Sequence, residues 1–326
     1  MVDSHGWFAE ISRMAKRSFL SALLKRAGVE GVSGAIHYPL STINFGLSAS
    51  ASSLHSRSLS TMATTPRRIV LKFGSGILAN TRGTSLDDRQ FRRLCSEIAG
   101  LVKLGHECVV VSSGAVAAGL GVLGLKNRPE DLAARQACAA IGQSRLMQSY
   151  AAHFATHDLH VAQLLLTYDD LDSRTAYQNV RNTLAHIFER RTVVPIINEN
   201  DSVAVEELRF GDNDKLSAEV AVLVEADLLI LLTSVDGLLD EDGKVVRVVE
   251  NIDRVAGLAR NEKGKFSVGG MTSKLQAVKV AVEAGIPTYI ASGRQAGRIP
   301  AIVAGKQVGT RQVGTRFIAR GESAPE

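Results

Sequence analysis

Short apolar runs that alternate with longer amphipathic segments constrain this chain more than any other feature. "RRIVLKFG" (67–74), "HECVVVSSG" (106–114), "HVAQLLLT" (160–167), "TVVPIIN" (192–198), "DLLILLT" (227–233) and "PTYIAS" (287–292) each have the length of a strand. Four consecutive apolar residues from Cys108 to Val111 point to burial on both faces, the mark of a parallel sheet between helical layers. Between the runs lie helical segments. In 87–105, Phe91, Leu94, Cys95, Ile98, Leu101 and Val102 share one face and Gly105 is a natural stop. Further helices are predicted over about Leu132–His157, Asp169–Arg190, 215–226 and 273–285, with a weaker one after the loop 236–250. Residues 201–214 read as a polar-edged hairpin and 260–270 as an exposed basic loop. Strands alternating with helices of these lengths predict an α/β fold, a three-layer α/β/α sandwich around a mainly parallel sheet.

The first 66 residues are of another kind. From Ser33 to Met62, nine of thirty residues are serine, too little apolar area to offset the ordering of the chain. Ahead of them, Phe8, Ile11, Phe19, Leu20, Leu23 and Leu24 partly follow a helical period opposite Arg13, Lys16, Arg17, Lys25 and Arg26. That is the composition of a transit peptide for a mitochondrion or plastid, with Asp3 and Glu10 against it. An ordinary tail, or a working start at Met62 and a cytoplasmic protein, are the alternatives. The expected organisation is a leader over 1–66, one catalytic domain over 67–320 and a short tail over 321–326. Net charge is +5, of which the leader holds +3, so the folded part is nearly balanced and carries no basic track for nucleic acid. No run reaches the length of a membrane span. Three cysteines, Cys95, Cys108 and Cys138, lack metal-ligand spacing and read as buried thiols.

Two glycine patterns are set aside. "GLGVLG" (119–124) matches a dinucleotide fingerprint, but it does not directly follow a strand and no acid ends a following strand at the right distance. "DEDG" (240–243) lacks the first acid of a calcium loop and reads as a hairpin turn. The VGTR at Val308 recurs at Val313, five residues on, which inverts the strand face each side chain meets. Only one copy can hold the strand register.

The chemistry gathers where strands end. In a parallel sheet the carboxyl ends of strands form the usual ligand crevice. Lys72 precedes Gly74, Ser75 and Gly76, whose backbone can approach an anion. Ser113 and Gly114 stand at a strand-to-helix switch, where backbone donors suit a carboxylate or phosphate. "NENDSVA" puts Asn198, Glu199, Asn200 and Asp201 after a buried strand, and "GDNDKLSA" brings Asp212, Asn213 and Asp214 before a helix. A helix-cap role also fits Asp214. "LLTSVDG" is the fourth crossing, and "GGMTSK" the fifth, with Lys274 early in a helix, where the helix dipole disfavours a cation unless an anion is also present. Two lysines, backbone donors and an acid are the inventory of phosphoryl transfer.

With these pieces in order, "VLKFGSG", "VVSSGAVAAG", "AAIGQSRLM", "QLLLT", "NVRNT", "PIINENDSV", "GDNDKLSA", "LLTSVDGL" and "GGMTSKLQA", the chain from about Arg67 to Ala319 resembles the amino acid kinase family, and within it the glutamate 5-kinases. The resemblance implies ATP-dependent phosphorylation of the side-chain carboxylate of L-glutamate, which begins proline synthesis. It implies that Lys72 and Lys274 stabilise the transferred phosphoryl group and that Asp214 holds the lysines. Gly74, Ser75, Thr233, Ser234, Val268, Gly269, Gly270, Met271 and Lys274 would contact ATP. Ser113, Gly114, Asn198, Asp201, Asp212 and Asn213 would contact glutamate. Mg2+ would travel with the nucleotide phosphates, with no metal site of the protein's own. Proline as feedback inhibitor and a homodimer or homotetramer are implied too, with the helix over Asp169–Arg190 a candidate interface; a membrane partner is not. Three departures stand out: "SVGGM", with Ser267 and Val268 replacing glycine and threonine beside ATP, the repeated VGTR, and an end at Glu326 that leaves no room for a C-terminal RNA-modification-type domain. A kinase of another small carboxylate or phosphate, and a non-catalytic sensor of ATP or proline, remain alternatives.

Overall fold

The computed structural model describes residues 65–204, 213–255, 257–258, 270–305 and 313–322. Its strands are β1 (Arg68–Phe73), β2 (Glu107–Val111), β3 (His160–Leu166), β4 (Val193–Glu199), β5 (Leu228–Thr233), β6 (Val248–Val249), β7 (Thr288–Ser292) and β8 (Thr315–Phe317). They form one sheet in the order β3-β4-β2-β1-β5-β7-β8-β6. The six strands from β3 to β7 run parallel; β8 pairs antiparallel with β7, and β6 follows β8. The helices of five or more residues are α1 (Asp88–Lys103), α2 (Ala115–Leu123), α3 (Leu132–Ala155), α4 (Tyr168–Asp172), α5 (Arg174–Phe188), α6 (Asp214–Leu223), α7 (Met271–Glu283) and α8 (Arg298–Val303), and Ser75–Leu78 forms one further helical turn after β1.

Strand alternation sorts the core into two layers. Ile69, Leu71 and Phe73 of β1 pack with Phe91 and Leu94 of α1, Leu146 and Tyr150 of α3 and Ile299 of α8. Val70 packs on the opposite face with Leu184 of α5, Leu216 and Val220 of α6 and Leu275 and Val278 of α7. Lys72 shares the parity of Val70, so the sequence of β1 alone aims it at the α6–α7 side. The chain winds outward from β1 both ways, to β2, β4 and β3 on one side and to β5 and β7 on the other. A crevice at the carboxyl ends opens at such a reversal.

Several expectations are corrected. The helix predicted over Asp169–Arg190 is two helices broken at Ser173, which ends α4 and caps α5 by accepting from the Ala176 N–H (3.4 Å). Thr167 and Asp170 close a reciprocal capping box at the start of α4. Where the weaker helix after 250 is expected, the described residues open with a 3₁₀ turn, Ile252–Arg254. Residues 205–212 of the hairpin reading, most of the basic loop, the first VGTR copy and residues 1–64 of the leader lie outside the described residues. The second copy forms β8, where buried Thr315 accepts from the Leu238 N–H (2.8 Å) and donates to the Val246 carbonyl (2.7 Å). The "DEDG" turn closes a hairpin bridged at Leu239 and Val245.

Gly119 of "GLGVLG" serves packing. A Cβ on Gly119 would stand 1.9 Å from the Cys138 carbonyl oxygen, and one on Gly142 would stand 1.8 Å from that of Ala115. Helices α2 and α3 therefore touch backbone to backbone, a contact only glycine permits.

Candidate active site

Strand register brings the carboxyl ends together. Lys72 stands beside Val111 of β2 and Leu231 of β5, Thr233 beside Ser292, and Leu166 beside Glu199. Lys72 projects toward α6 and α7 and meets Asp214, the first residue of α6. The Asp214 carboxylate is fully buried. One oxygen takes Lys72 Nζ; the other takes Lys274 Nζ at 2.9 Å and the Ser273 hydroxyl at 3.4 Å. Lys274 lies three residues past Met271, where α7 begins. A cation there opposes the helix dipole, and Asp214 supplies the compensating charge. Asp214 is inside its helix, with Asn213 in the capping position, so the cap reading of this acid is replaced by that of a counter-ion. Two buried ammonium groups converge on this one carboxylate, an arrangement suited to meeting the charge of a phosphoryl group.

Next to this cluster opens a cleft of about 460 Å³. Ser75, Ser113, Gly114, Asn198, Asp201, Asn213 and Ser234 line it, so the structure brings together most of the residues expected to hold glutamate. Asp212, Val268 and Gly269 lie outside the described residues. Gly74, Thr233, Gly270 and Met271 are not among the residues that line it. The Gly74 N–H donates to Leu232 across β5 (3.3 Å), and a Cβ there would lie 3.9 Å from Lys72 Nζ. Gly114 takes φ +100° ahead of α2, and no side chain caps that helix. The unpaired backbone donors of its first turn therefore face the cleft at Ala115, Val116 and Ala117.

A chain of amides sets what the cleft wall presents. Asn198 donates through Nδ2 to Gln143 Oε1 (2.8 Å) and accepts through Oδ1 from Asn213 Nδ2 (2.7 Å). Asn213 Nδ2 also donates to the Ser112 carbonyl. Both amide hydrogens of Asn213 are thus used, and its Oδ1 is left as an acceptor. Ser112 is held in turn by the buried Tyr150 hydroxyl (2.9 Å). Burial pushes the Tyr150 phenol far above its ordinary range, so it stays a neutral hydroxyl.

Gln143, Arg128, Asn80 and Arg294 were not singled out from sequence. Arg294 follows β7, so extending the strand-end search to a sixth loop would have found it. It lines the cleft and donates to the Gly76 carbonyl. Gln143, inside α3, carries no such signal. Among the described residues, no three or more His, Cys, Asp or Glu are grouped to hold a metal, and no helix is long and apolar enough to cross a membrane.

The sequence profile of the amino acid kinase family matches residues 67–292. Glutamate 5-kinase of Syntrophotalea carbinolica is 46% identical over 254 residues, covering 75% of this chain and 66% of that protein. Glutamate 5-kinase of Desulfitobacterium hafniense is 44% identical over 257 residues, covering 77% and 68%. The chain thus spans about two-thirds of the length of these curated relatives. Among solved structures, UMP kinase from Bacillus anthracis superposes with a TM-score of 0.54 at 17% identity, covering 78% of this chain and 96% of that one. N-acetylglutamate synthase from Neisseria gonorrhoeae gives 0.57 at 14%, covering 79% and 60%. At these identities the likeness is one of fold.

Proposed function

This chain belongs to the amino acid kinase family and groups within it with the glutamate 5-kinases, and from that premise we propose that it transfers the γ-phosphoryl group of ATP to the side-chain carboxylate of L-glutamate. The observation that carries the reading is the convergence of Lys72 and Lys274 on buried Asp214, beside a cleft walled by Ser113, Asn198, Asp201 and Asn213.

A carboxylate oxygen of glutamate attacks Pγ, the bond from Pγ to the β–γ bridging oxygen breaks, and ADP leaves with that electron pair. The acceptor is already ionised at neutral pH, so no base is required. The two lysines meet the charge that spreads over the transferred oxygens, and Asp214 keeps both ammonium groups in place before substrate arrives. Asp201 and the Asn213 Oδ1 offer acceptors to the α-ammonium group. Magnesium neutralises phosphate charge when bound. The donor set here is cationic and amide-rich around the phosphoryl position, which fits an ion carried by nucleotide oxygens and water. Feedback inhibition by proline in the same cleft, and assembly as a homodimer or homotetramer, belong to the same proposal.

The test is ATP consumption by the purified chain with magnesium, on glutamate and N-acetylglutamate side by side, each with and without proline. Turnover confined to free glutamate and suppressed by proline is expected. Turnover only on another acceptor would overturn the substrate assignment, and nucleotide binding without turnover would overturn the enzyme assignment.

A further inference from the structure

Glutamate carries three charges, and the residues named so far answer two of them. The lysine cluster receives the reacting carboxylate's phosphoryl group, and Asp201 and Asn213 answer the ammonium. No cation has been matched to the α-carboxylate. The cleft contains an arginine suited to that task. Arg128 lies in the connection between α2 and α3 and lines the same cleft as Asp201, Ser113 and Asn213. Among the described residues its guanidinium makes no hydrogen bond or ion pair. It is nonetheless in the field of Asp201, and in that of Arg135 on the first turn of α3. Gln136, next to Arg135, donates to the Ala204 carbonyl (3.2 Å) and so holds the turn carrying Asp201 against α3. Burial first and the Arg135 charge second push the Arg128 guanidinium below its ordinary value, and Asp201 opposes them. Arg128 thus brings a cation to the part of the cleft that also holds Asp201, as recognition of a carboxylate requires.

We propose that Arg128 binds the α-carboxylate of the amino-acid substrate while neighbouring Asp201 takes its α-ammonium, so that the pair reads a free amino acid by its two opposite charges. The placement agrees with the sheet. Asp201 follows β4, two strands from β1, and two strand spacings of about 4.8 Å leave room for the substrate's short carbon chain between the Arg128–Asp201 pair and Lys72. Two other arginines line the cleft. Arg294 is engaged by the Gly76 carbonyl, and Arg82 belongs to the segment between β1 and α1. A pocket that demands both charges accepts glutamate over dicarboxylates lacking the amine and over amino acids lacking the second carboxylate.

This inference rests on the proposed kinase activity, and one experiment separates the two. Steady-state kinetics with the full chain compare wild type, Arg128→Gln, Arg128→Lys and Arg82→Gln on glutamate. Glutarate, which lacks the amine, and 4-aminobutyrate, which lacks the second carboxylate, serve as competitive inhibitors. Losing a charge-assisted partner predicts a rise of about ten- to a hundredfold in the glutamate KM of Arg128→Gln, with little change in kcat or in the ATP KM. Glutarate weakens by the same factor, 4-aminobutyrate binds as in wild type, and Arg128→Lys recovers part of the loss. An unchanged glutamate KM overturns the proposal, as does an equal loss for both inhibitors. A loss in Arg82→Gln that matches or exceeds that in Arg128→Gln also overturns it, by assigning the carboxylate to the loop after β1. A wild-type chain that does not phosphorylate glutamate refutes the kinase reading itself.

Discussion

Asp214→Asn removes one charge and almost no volume, which makes it the sharpest probe of the lysine cluster. In the native protein a carboxylate with no solvent exposure neutralises one of two ammonium groups, whose side chains are 4% and 11% exposed. The amide leaves two buried like charges without the carboxylate they share. Removing one partner of a buried ionic group costs about 3–5 kcal/mol. For a domain of this size each kcal/mol lowers Tm by about 2–4 °C, so the variant should melt on the order of 10 °C below wild type. Turnover should fall by about a hundredfold or more, because the lysines lose the group that aims them. An anion restores what the substitution removed. Inorganic phosphate or ADP should therefore raise the Tm of Asp214→Asn by more than that of wild type, as followed by scanning fluorimetry over a ligand titration. A variant that melts with wild type, or that gains no more from phosphate than wild type does, would refute the charge-balance reasoning.

Gly119→Ala should destabilise the protein by about 3 kcal/mol or more, since its Cβ would overlap the Cys138 carbonyl, whereas Gly100→Ala within α1 meets nothing within 4 Å and should stabilise by a few tenths to about 1 kcal/mol. Urea midpoints of the two variants should move in opposite directions. Gln143→Met leaves the Asn198 amide without its acceptor, at about 1–3 kcal/mol, and should raise the glutamate KM while sparing that for ATP. Gln143→Glu, which keeps an acceptor, should recover most of the loss in both readings. His106 accepts from the Arg67 N–H (3.1 Å), and burial, then the Arg67 charge, holds its pKa below the usual 6.5. The unfolded chain then takes up the proton first, so this contribution is complete above about pH 6.5 and is lost as pH falls toward the folded value. The slope of stability between pH 6.5 and 5 should flatten in His106→Asn.

What could be read from sequence follows from how local each signal is. The six parallel strands were legible because a buried strand leaves an unbroken apolar run, and α1 because its apolar period is regular. The break at Ser173 was written in cap chemistry, Thr167 to Asp170 and then Ser173, but the apolar and polar pattern continues across it and hid the stop. β8 was hidden by the repeat, since either VGTR copy has the composition of a strand. In the second, Gly314 stands where a Cβ would lie 2.5 Å from the Ile290 carbonyl oxygen. Within the site, residue identities at strand ends were legible and their relations were not. Asp214 looked equally like a helix cap. It becomes a counter-ion only because strand parity sends Lys72 to the face where α6 and α7 begin side by side. The orientation of Asn213 depends on Asn198 and Gln143, residues on a different strand and helix, and no pattern within "GDND" encodes it. Nor does any pattern mark Arg128, whose proposed role comes from sharing the cleft with Asp201. The ends of a parallel sheet thus announce that chemistry is present, while the side-by-side order of the strands decides which charges meet and therefore which substrate fits.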